Sequence, residues 1–166
     1  MLSIICFFLV FLSYQDFRYR AISWWIIPLL FVFLAYNNIK NFSFDIVKNN
    51  FLLNFGFVLI QLGILYIYFS IKNRRFVNII NTYIGIGDIL FFAVLTVCFS
   101  FFNYLVFQIV SFFLVAIGFG LFRLFKKDFT PEIPLAGGMS LLLFLSFIVG
   151  KIYSISFYKD LVLLTY

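Results

Sequence analysis

Two acidic residues, Asp16 and Asp88, each adjoin a long apolar run of this chain. Asp88 closes the sequence Gly85-Ile86-Gly87-Asp88, and residues 89–102 follow it without a single charge. An acid at the edge of a membrane span usually faces the protein interior or a water-filled cavity, which makes it a candidate for function. The glycines before Asp88 leave room for another backbone and permit unusual backbone dihedral angles.

Two carboxylates that lie close together cannot both ionise easily, so one keeps a proton while the other loses it. This arrangement performs the acid and base steps of aspartic proteases. The ionised group takes a proton from a water molecule that attacks a peptide carbonyl, while the protonated group hydrogen-bonds that carbonyl and helps to protonate the leaving amine. Such a pair titrates as a unit, so the sequence does not assign the base to Asp16 or to Asp88.

Less specific roles for the two acids stay open at this point. Asp16 is followed by Arg18 and Arg20 and could form a loop ion pair with either of them. Asp88 could stabilise a helix N-terminus, where the helix dipole favours a negative charge. Of the other acids, Asp45 and Asp160 are assigned to the outer side of the membrane, and Asp128 and Glu132 are interpreted as solvated loop charges beside Lys126 and Lys127.

The composition is that of a membrane protein. The chain is 65% hydrophobic and 11% charged, whereas a soluble domain is about 45–50% apolar and about 25% charged. Histidine is missing from the sequence, which excludes a His-Glu-x-x-His zinc site and a Ser-His nucleophile. Cys6 and Cys98 lie in apolar runs without Cys-x-x-Cys spacing, so no disulfide framework, cysteine zinc site or redox pair is expected. No metal or organic cofactor is expected.

Six apolar segments predict six transmembrane helices, since a membrane helix needs about 20 apolar residues. Their approximate bounds are 2–14, 22–36, 51–71, 86–102, 104–125 and 133–153. The first segment is short for a span, so either the bilayer thins there or the helix continues past Asp16 and carries it into a wetted pocket. The polar segment 37–50 is predicted to be an external loop. The chain is thus predicted to be one all-α membrane domain over 1–166, a bundle of about six transmembrane helices.

The basic residues predict the orientation of this bundle. Cytoplasmic loops of membrane proteins carry an excess of Lys and Arg. The larger set is Arg18, Arg20, Lys72, Arg74, Arg75, Arg123, Lys126 and Lys127, and the smaller set is Lys40, Lys48, Lys151 and Lys159. The larger set is therefore assigned to the cytoplasm, which puts Asp16 and Asp88 at the same membrane face. Orientation also explains the net charge of +6 better than nucleic-acid binding does.

Small residues let membrane helices approach closely, so they predict helix contacts. Three sets are candidates: Gly56 with Gly63, Ala116 with Gly120, and the patch Ala136, Gly137, Gly138 and Ser140.

Three segments together resemble the type IV prepilin peptidases, a family of intramembrane aspartyl proteases. Gly85-Ile86-Gly87-Asp88 resembles the GxGD signature of that family. The sequence Asp16-Phe17-Arg18-Tyr19-Arg20-Ala21-Ile22 resembles its first-aspartate segment. Ile133-Pro134-Leu135-Ala136-Gly137 resembles the Ile-Pro-Phe-Gly-Pro segment that opens its last helix. The three segments follow the family's order, and the resemblance covers nearly the whole chain.

The resemblance implies an enzyme that cuts a basic leader from prepilin or pseudopilin substrates. It places the active site at the cytoplasmic face of the cell inner membrane, within the lipid bilayer, and leaves the oligomeric state open. The catalytic residues would be Asp16 and Asp88, with active-site support from Gly85, Gly87, Arg18, Pro134 and Gly137. The family's larger members carry a cysteine quartet and a methyltransferase activity, and neither is expected here.

Three positions depart from the family pattern: Leu90 stands where bacterial members often have Lys, Ser23 replaces Pro, and Trp24 replaces Asn. Two other readings remain. A catalytically degenerate homologue that assembles or binds pilin-like helices would be consistent with Leu90 and Ser23. A small transporter using Asp88 as a proton relay would need a polar pathway, for which the spans offer little beyond Gln61 and Gln108.

Overall fold

The computed structural model of the chain describes residues 1–80, 82–125, 134–154 and 157–158. The described residues form α-helices and no β-strand. The helices are α1 Leu2–Tyr19, α2 Ile26–Asn41, α3 Phe44–Asn73, α4 Ile86–Leu95, α5 Phe101–Phe125 and α6 Leu135–Ile152. The predicted all-α class is confirmed for this part of the chain. The predicted positions Lys126, Lys127, Asp128, Glu132, Ile133, Lys159 and Asp160, and the side chain of Arg123, lie outside the described residues.

Four of these helices, α1, α3, α5 and α6, are long and apolar enough to cross a membrane. Helices α2 and α4 are apolar but shorter, with 16 and 10 residues. At about 1.5 Å per residue, α4 is roughly 15 Å long, about half of the hydrocarbon thickness of a bilayer. The four long helices suggest a membrane protein.

Helix α1 extends well beyond its predicted end. It continues through Asp16 to Tyr19 and ends at Arg20, whose φ of 54° is left-handed and whose N–H donates to the carbonyl of Asp16 at 3.1 Å. Asp16 is only 7% exposed. Of the two alternatives for the short first segment, the structure shows the longer helix, which buries this carboxylate among other helices.

The segment 37–50, predicted to be a loop, is largely helical. Helix α2 runs to Asn41 and α3 begins at Phe44, so only residues 42–43 connect them. The polar residues of this segment occupy the last turn of α2 and the first turns of α3, where Asp45 suits the positive end of the helix dipole. The polar residues belong to the ends of two helices that are separated by only two residues. Because helix ends and loops have similar composition, the sequence predicted a loop.

Helix α4 ends at Leu95, well short of the predicted bound at residue 102. Residues 96–100 form a buried turn between α4 and α5, although their sequence is apolar enough to continue a helix. Carbonyl groups in such a turn lack helical partners and are costly to bury unless other donors reach them. The hydroxyl of Tyr158 donates to the carbonyl of Val97 at 2.7 Å and satisfies one of them.

Two buried carboxamides also donate to carbonyls of this turn. The Nδ2 group of Asn38, on α2, donates to the Val97 carbonyl at 2.6 Å. The Nδ2 group of Asn54, on α3, donates to the carbonyls of Thr96 at 2.9 Å and Phe99 at 3.0 Å. Side chains from two other helices therefore determine where α4 stops, which no local sequence pattern indicates.

Small residues at the start of α6 form the tightest helix contacts. Residues 136–140 are all buried, and α6 packs most extensively against α1. A Cβ atom added to Gly138 would lie 2.5 Å from Cγ2 of Val115 on α5. The prediction of helix contacts is thus confirmed for this patch.

The other two sets of small residues do not mark helix contacts, and that prediction is wrong. A Cβ atom added to Gly56, Gly63 or Gly120 would meet nothing within 4 Å, and Ala116 is exposed. Spacing shows only that such residues share a helix face. In the described chain no second helix covers those faces closely.

We expect Asn54→Leu to lower the free energy of unfolding by about 1–3 kcal/mol, because it leaves two buried carbonyls without donors. Thermal unfolding of the detergent-purified protein, followed by tryptophan fluorescence, measures this. The matched control is Asn41→Leu, since the Asn41 amide donates to the Asn37 carbonyl at an exposed site. It should change stability by about 0.5 kcal/mol or less. Equal losses in both variants would contradict the capping role of Asn54.

Candidate active site

A cavity of about 810 Å³ lies where the C-terminal end of α1 meets the N-terminal ends of α4 and α6. Its polar lining includes Asp16, Arg20 and Asp88. Its apolar lining includes Phe92 and Phe112, whose rings pack edge to face with centroids 5.8 Å apart. The cavity thus has both carboxylates on its wall and extends from them along the apolar faces of the helices.

The N-terminus of α6 binds both carboxylates. The N–H of Gly137 donates to Oδ2 of Asp16 at 2.6 Å, and the N–H of Ala136 donates to Oδ1 of Asp88 at 2.9 Å. The first N–H groups of a helix have no partner within the helix, and the helix dipole is positive there. The backbone nitrogens of Ala136 and Gly137 are consecutive in the chain, so they are at most about 4 Å apart. With the two hydrogen-bond lengths added, the bonded oxygens of Asp16 and Asp88 lie within about 10 Å of each other.

Asp88 also lies in the first turn of its own helix, α4. Gly85 is the N-cap residue of α4, and the N–H of Asp88 donates to the Gly85 carbonyl at 3.1 Å. The Asp88 carboxylate also lies against the backbone of Gly85, as an N3 side chain does in a capping box, although Gly85 has no side chain to complete that motif. The carboxylate of Asp88 therefore joins the N-termini of α4 and α6, and it interacts electrostatically with Asp16.

Three glycines leave space at the site that a side chain would fill, two of them beside the acids. A Cβ atom on Gly137 would lie 2.8 Å from Oδ2 of Asp16, and one on Gly85 would lie 3.2 Å from Oδ2 of Asp88. A Cβ atom on Gly87 would lie 2.9 Å from Cδ1 of Ile22, which belongs to the connection after α1. The described glycines all have negative φ, so the expectation of unusual dihedral angles is wrong: these glycines provide space.

The two arginines that follow Asp16 have different positions. Arg20 lines the cavity, interacts electrostatically with Asp16, and places its guanidinium 5.7 Å from the ring centroid of Phe119 on α5. Arg18 is exposed, and its Nη1 donates to the hydroxyl of Tyr14 at 2.6 Å. The left-handed turn at Arg20 directs the chain across the cavity, whereas Arg18 is still on the outer face of α1. The structure does not bring Arg18 to the carboxylates.

Pro134 and the glycines of the predicted site are at the cavity or against its acids. Pro134, Gly85 and Gly87 line the cavity, and Gly137 contacts Asp16 as described above. Pro134 immediately precedes α6, and its carbonyl accepts the N–H of Gly138 at 3.0 Å. The structure thus brings together six of the seven predicted site residues.

Ser23, one of the departures from the family pattern, has a partner next to the site. Its backbone N–H donates to Oε1 of Gln15 at 3.1 Å, and its Oγ accepts from Nε2 of Gln15 at 3.0 Å. Gln15 precedes Asp16 on α1, so this pair ties the last turns of α1 to the connection that carries Ile22 onto Gly87. Of the other departures, Leu90 packs against the hydrophobic core and Trp24 is 75% exposed.

Three contributors to this region were not predicted from the sequence: the backbone amide of Ala136 and the side chains of Gln15 and Gln61. A backbone donor has no side-chain signature, and the small-residue patch around Ala136 indicated only that another part of the chain comes close there. Gln61 lines the cavity from α3 and was considered only as part of a transport pathway. In the described chain, no cluster of three or more His, Cys, Asp or Glu residues could hold a metal ion.

Comparison of this chain with known proteins finds no matching family model, no matching curated protein and no matching solved structure. A functional assignment therefore depends on the three resembling segments and on the geometry of the cavity. The geometry joins those segments at one place, since each contributes a residue to the wall or to a hydrogen bond with a carboxylate.

Proposed function

We propose that this protein is an intramembrane aspartyl endopeptidase that removes the basic leader of prepilin-like substrates. One observation carries the proposal: Asp16 and Asp88, far apart in the sequence, accept hydrogen bonds from consecutive backbone amides beside one cavity. Paired carboxylates in a cavity are the groups that an aspartic protease requires. The substrate class comes from the resemblance of residues 16–22, 85–88 and 133–137 to the prepilin peptidases.

In the proposed mechanism the two carboxylates share one proton and act on water and a peptide bond. One oxygen of each carboxylate is bonded to α6, and in this proposal the second oxygen takes part in the reaction, with that of Asp88 next to Gly85. The ionised group removes a proton from water as the water attacks the peptide carbonyl. The protonated group hydrogen-bonds that carbonyl and then supplies a proton to the leaving amine. The backbone amides of Ala136 and Gly137 hold both groups in position throughout.

The distribution of basic residues supports an active site at the cytoplasmic face of the inner membrane. Near the cavity end of α1 and α3 are Arg18, Arg20, Lys72, Arg74 and Arg75. At the opposite helix ends are Lys40, Lys48 and Lys151. Because cytoplasmic ends carry the excess of positive charge, the cavity would open where a basic leader emerges from the membrane. We propose that all six helices lie in the bilayer, with α4 ending inside it.

A second candidate is a catalytically degenerate protein that binds pilin-like helices without cutting them. One observation favours it: Leu90, at the position of the family's frequent Lys, packs against the hydrophobic core. A leucine carries no charge, so any contribution that a lysine at this position makes to the site is missing in this chain. A cleavage assay decides between the two candidates.

We expect Asp16→Asn and Asp88→Asn each to reduce cleavage by about a thousandfold or more, because each removes one half of the proton exchange. The assay incubates the purified protein with prepilin-like proteins from the same genome and identifies the new N-terminus by mass spectrometry. The matched control is Asp45→Asn, an exposed acid in the first turn of α3, which should cleave like the wild type. Cleavage that survives either active-site change would refute the dyad.

We expect Gly137→Ala to lower kcat by about a hundredfold, because its Cβ would displace the Asp16 carboxylate and a shift of about 1 Å can cost that much. Gly63→Ala is the matched control, since its Cβ would meet nothing within 4 Å. The measurement is kcat of both variants, with membrane insertion and monodispersity checked in parallel. An unchanged kcat in well-folded Gly137→Ala would show that this contact does not position Asp16.

A further inference from the structure

A carboxamide lies on the apolar part of the cavity wall. Gln61 projects from α3 into a lining that also contains Leu65, Phe92 and Phe112. Helix α3 is one of the four helices long and apolar enough to cross a membrane. A polar side chain in such a helix is costly unless it is paired or has a function, so its presence in the wall of this cavity requires an explanation.

Gln61 is held by a second carboxamide. Gln108, on α5 and only 2% exposed, donates from Nε2 to Oε1 of Gln61 at 2.7 Å. This bond uses the acceptor of Gln61 and fixes the orientation of its amide. The Nε2 group of Gln61 then has no acceptor among the residues that the structure describes, and it belongs to a residue of the cavity wall.

If the Gln61–Gln108 pair served only to link α3 and α5, too few of its hydrogen-bonding groups would have partners. Oε1 of Gln108 is buried and has no partner in the described chain. The unmatched buried atom is therefore Oε1 of Gln108, while the N–H donors of Gln61 belong to the cavity wall and are unused. Buried polar groups left unmatched cost about 1–3 kcal/mol each, more than one such bond contributes. Two apolar side chains would connect these helices better, so the pair is better explained by binding than by stability.

A peptidase cavity inside a membrane must accept an unwound stretch of its substrate. Unwinding frees backbone carbonyls from their helical N–H partners, and an apolar surrounding makes each unpaired group costly. The apolar rings of Phe92 and Phe112 offer no donor for such a carbonyl. Gln61 on the same wall has two N–H groups that can donate to such a carbonyl.

We propose that Gln61 is a substrate-binding residue, whose Nε2 donates to a backbone carbonyl of the peptide in the cavity, and that Gln108 is the positioning residue that orients it. This inference rests on the proposed peptidase function and adds a contact away from the scissile bond. It predicts an effect on substrate binding and little effect on the chemical step, because Gln61 does not touch the reacting carboxylates.

Three variants of the full chain test this: Gln61→Met, Gln108→Met and the double variant, since Met keeps the volume and removes the amide. The substrate is a synthetic peptide with a short basic leader followed by about 20 apolar residues. KM and kcat come from cleavage, and the Kd of the fluorescently labelled peptide is measured in an Asp88→Asn background. Thermal unfolding reports stability. The control is Asn41→Leu, at the opposite end of α2.

If Gln61 binds substrate, Gln61→Met raises KM and Kd by about three- to tenfold with kcat changed by less than about twofold. Gln108→Met has a smaller effect on KM. In the double variant both partners of the buried bond are replaced, so stability recovers towards the wild type while KM and Kd stay raised. If the pair were purely structural, stability and affinity would recover together in the double variant.

Other outcomes overturn the inference in distinguishable ways. If wild type cleaves and Gln61→Met has an unchanged KM and Kd, the inference fails while the proposed function stands. If KM and stability recover together in the double variant, the pair is structural only. If wild type does not cleave and Asp88→Asn does not bind the peptide, the proposed function and this inference fail together.

Discussion

The structure depends on two hydrogen bonds from the N-terminus of α6 to the carboxylates of Asp16 and Asp88. A helix start has N–H groups without partners and a positive dipole end, and an apolar bundle has few other places where two acids can be accommodated. The small residues of α6 follow from this constraint, because a side chain at Gly137 would occupy the space of Asp16. One helix end thereby holds the C-terminal end of α1 and the N-terminal end of α4 beside each other.

The length of α4 is the second constraint on the cavity. Its N-terminus is held by the Asp88 carboxylate, and its C-terminus is held by the carboxamides of Asn38 and Asn54 on α2 and α3. A helix of 10 residues fastened at both ends cannot slide along its neighbours. Asn38 and Asn54 lower the hydropathy of otherwise apolar helices. Their hydrogen bonds nevertheless keep Asp88 at the level of Asp16.

The departures from the prepilin peptidase pattern are accommodated locally and leave the carboxylates in place. Ser23 replaces a proline, and its two hydrogen bonds with Gln15 restrain the connection after α1 by another means. Leu90 joins the hydrophobic core. If the proposed function holds, these substitutions and the amide of Gln61 are where this chain would differ from the prepilin peptidases in how it handles substrate.

The sequence by itself determined the helical class, the apolar character and the candidate acids, because these depend on local composition and on the chemistry of single side chains. It could not determine the partners of Asp16 and Asp88, since backbone N–H groups have no sequence signature. Nor could it determine the end of α4, whose caps come from Asn38 and Asn54, distant in the chain. The tertiary structure alone selected Arg20 over Arg18 for the cavity, because the left-handed turn at Arg20 redirects the backbone after α1 ends.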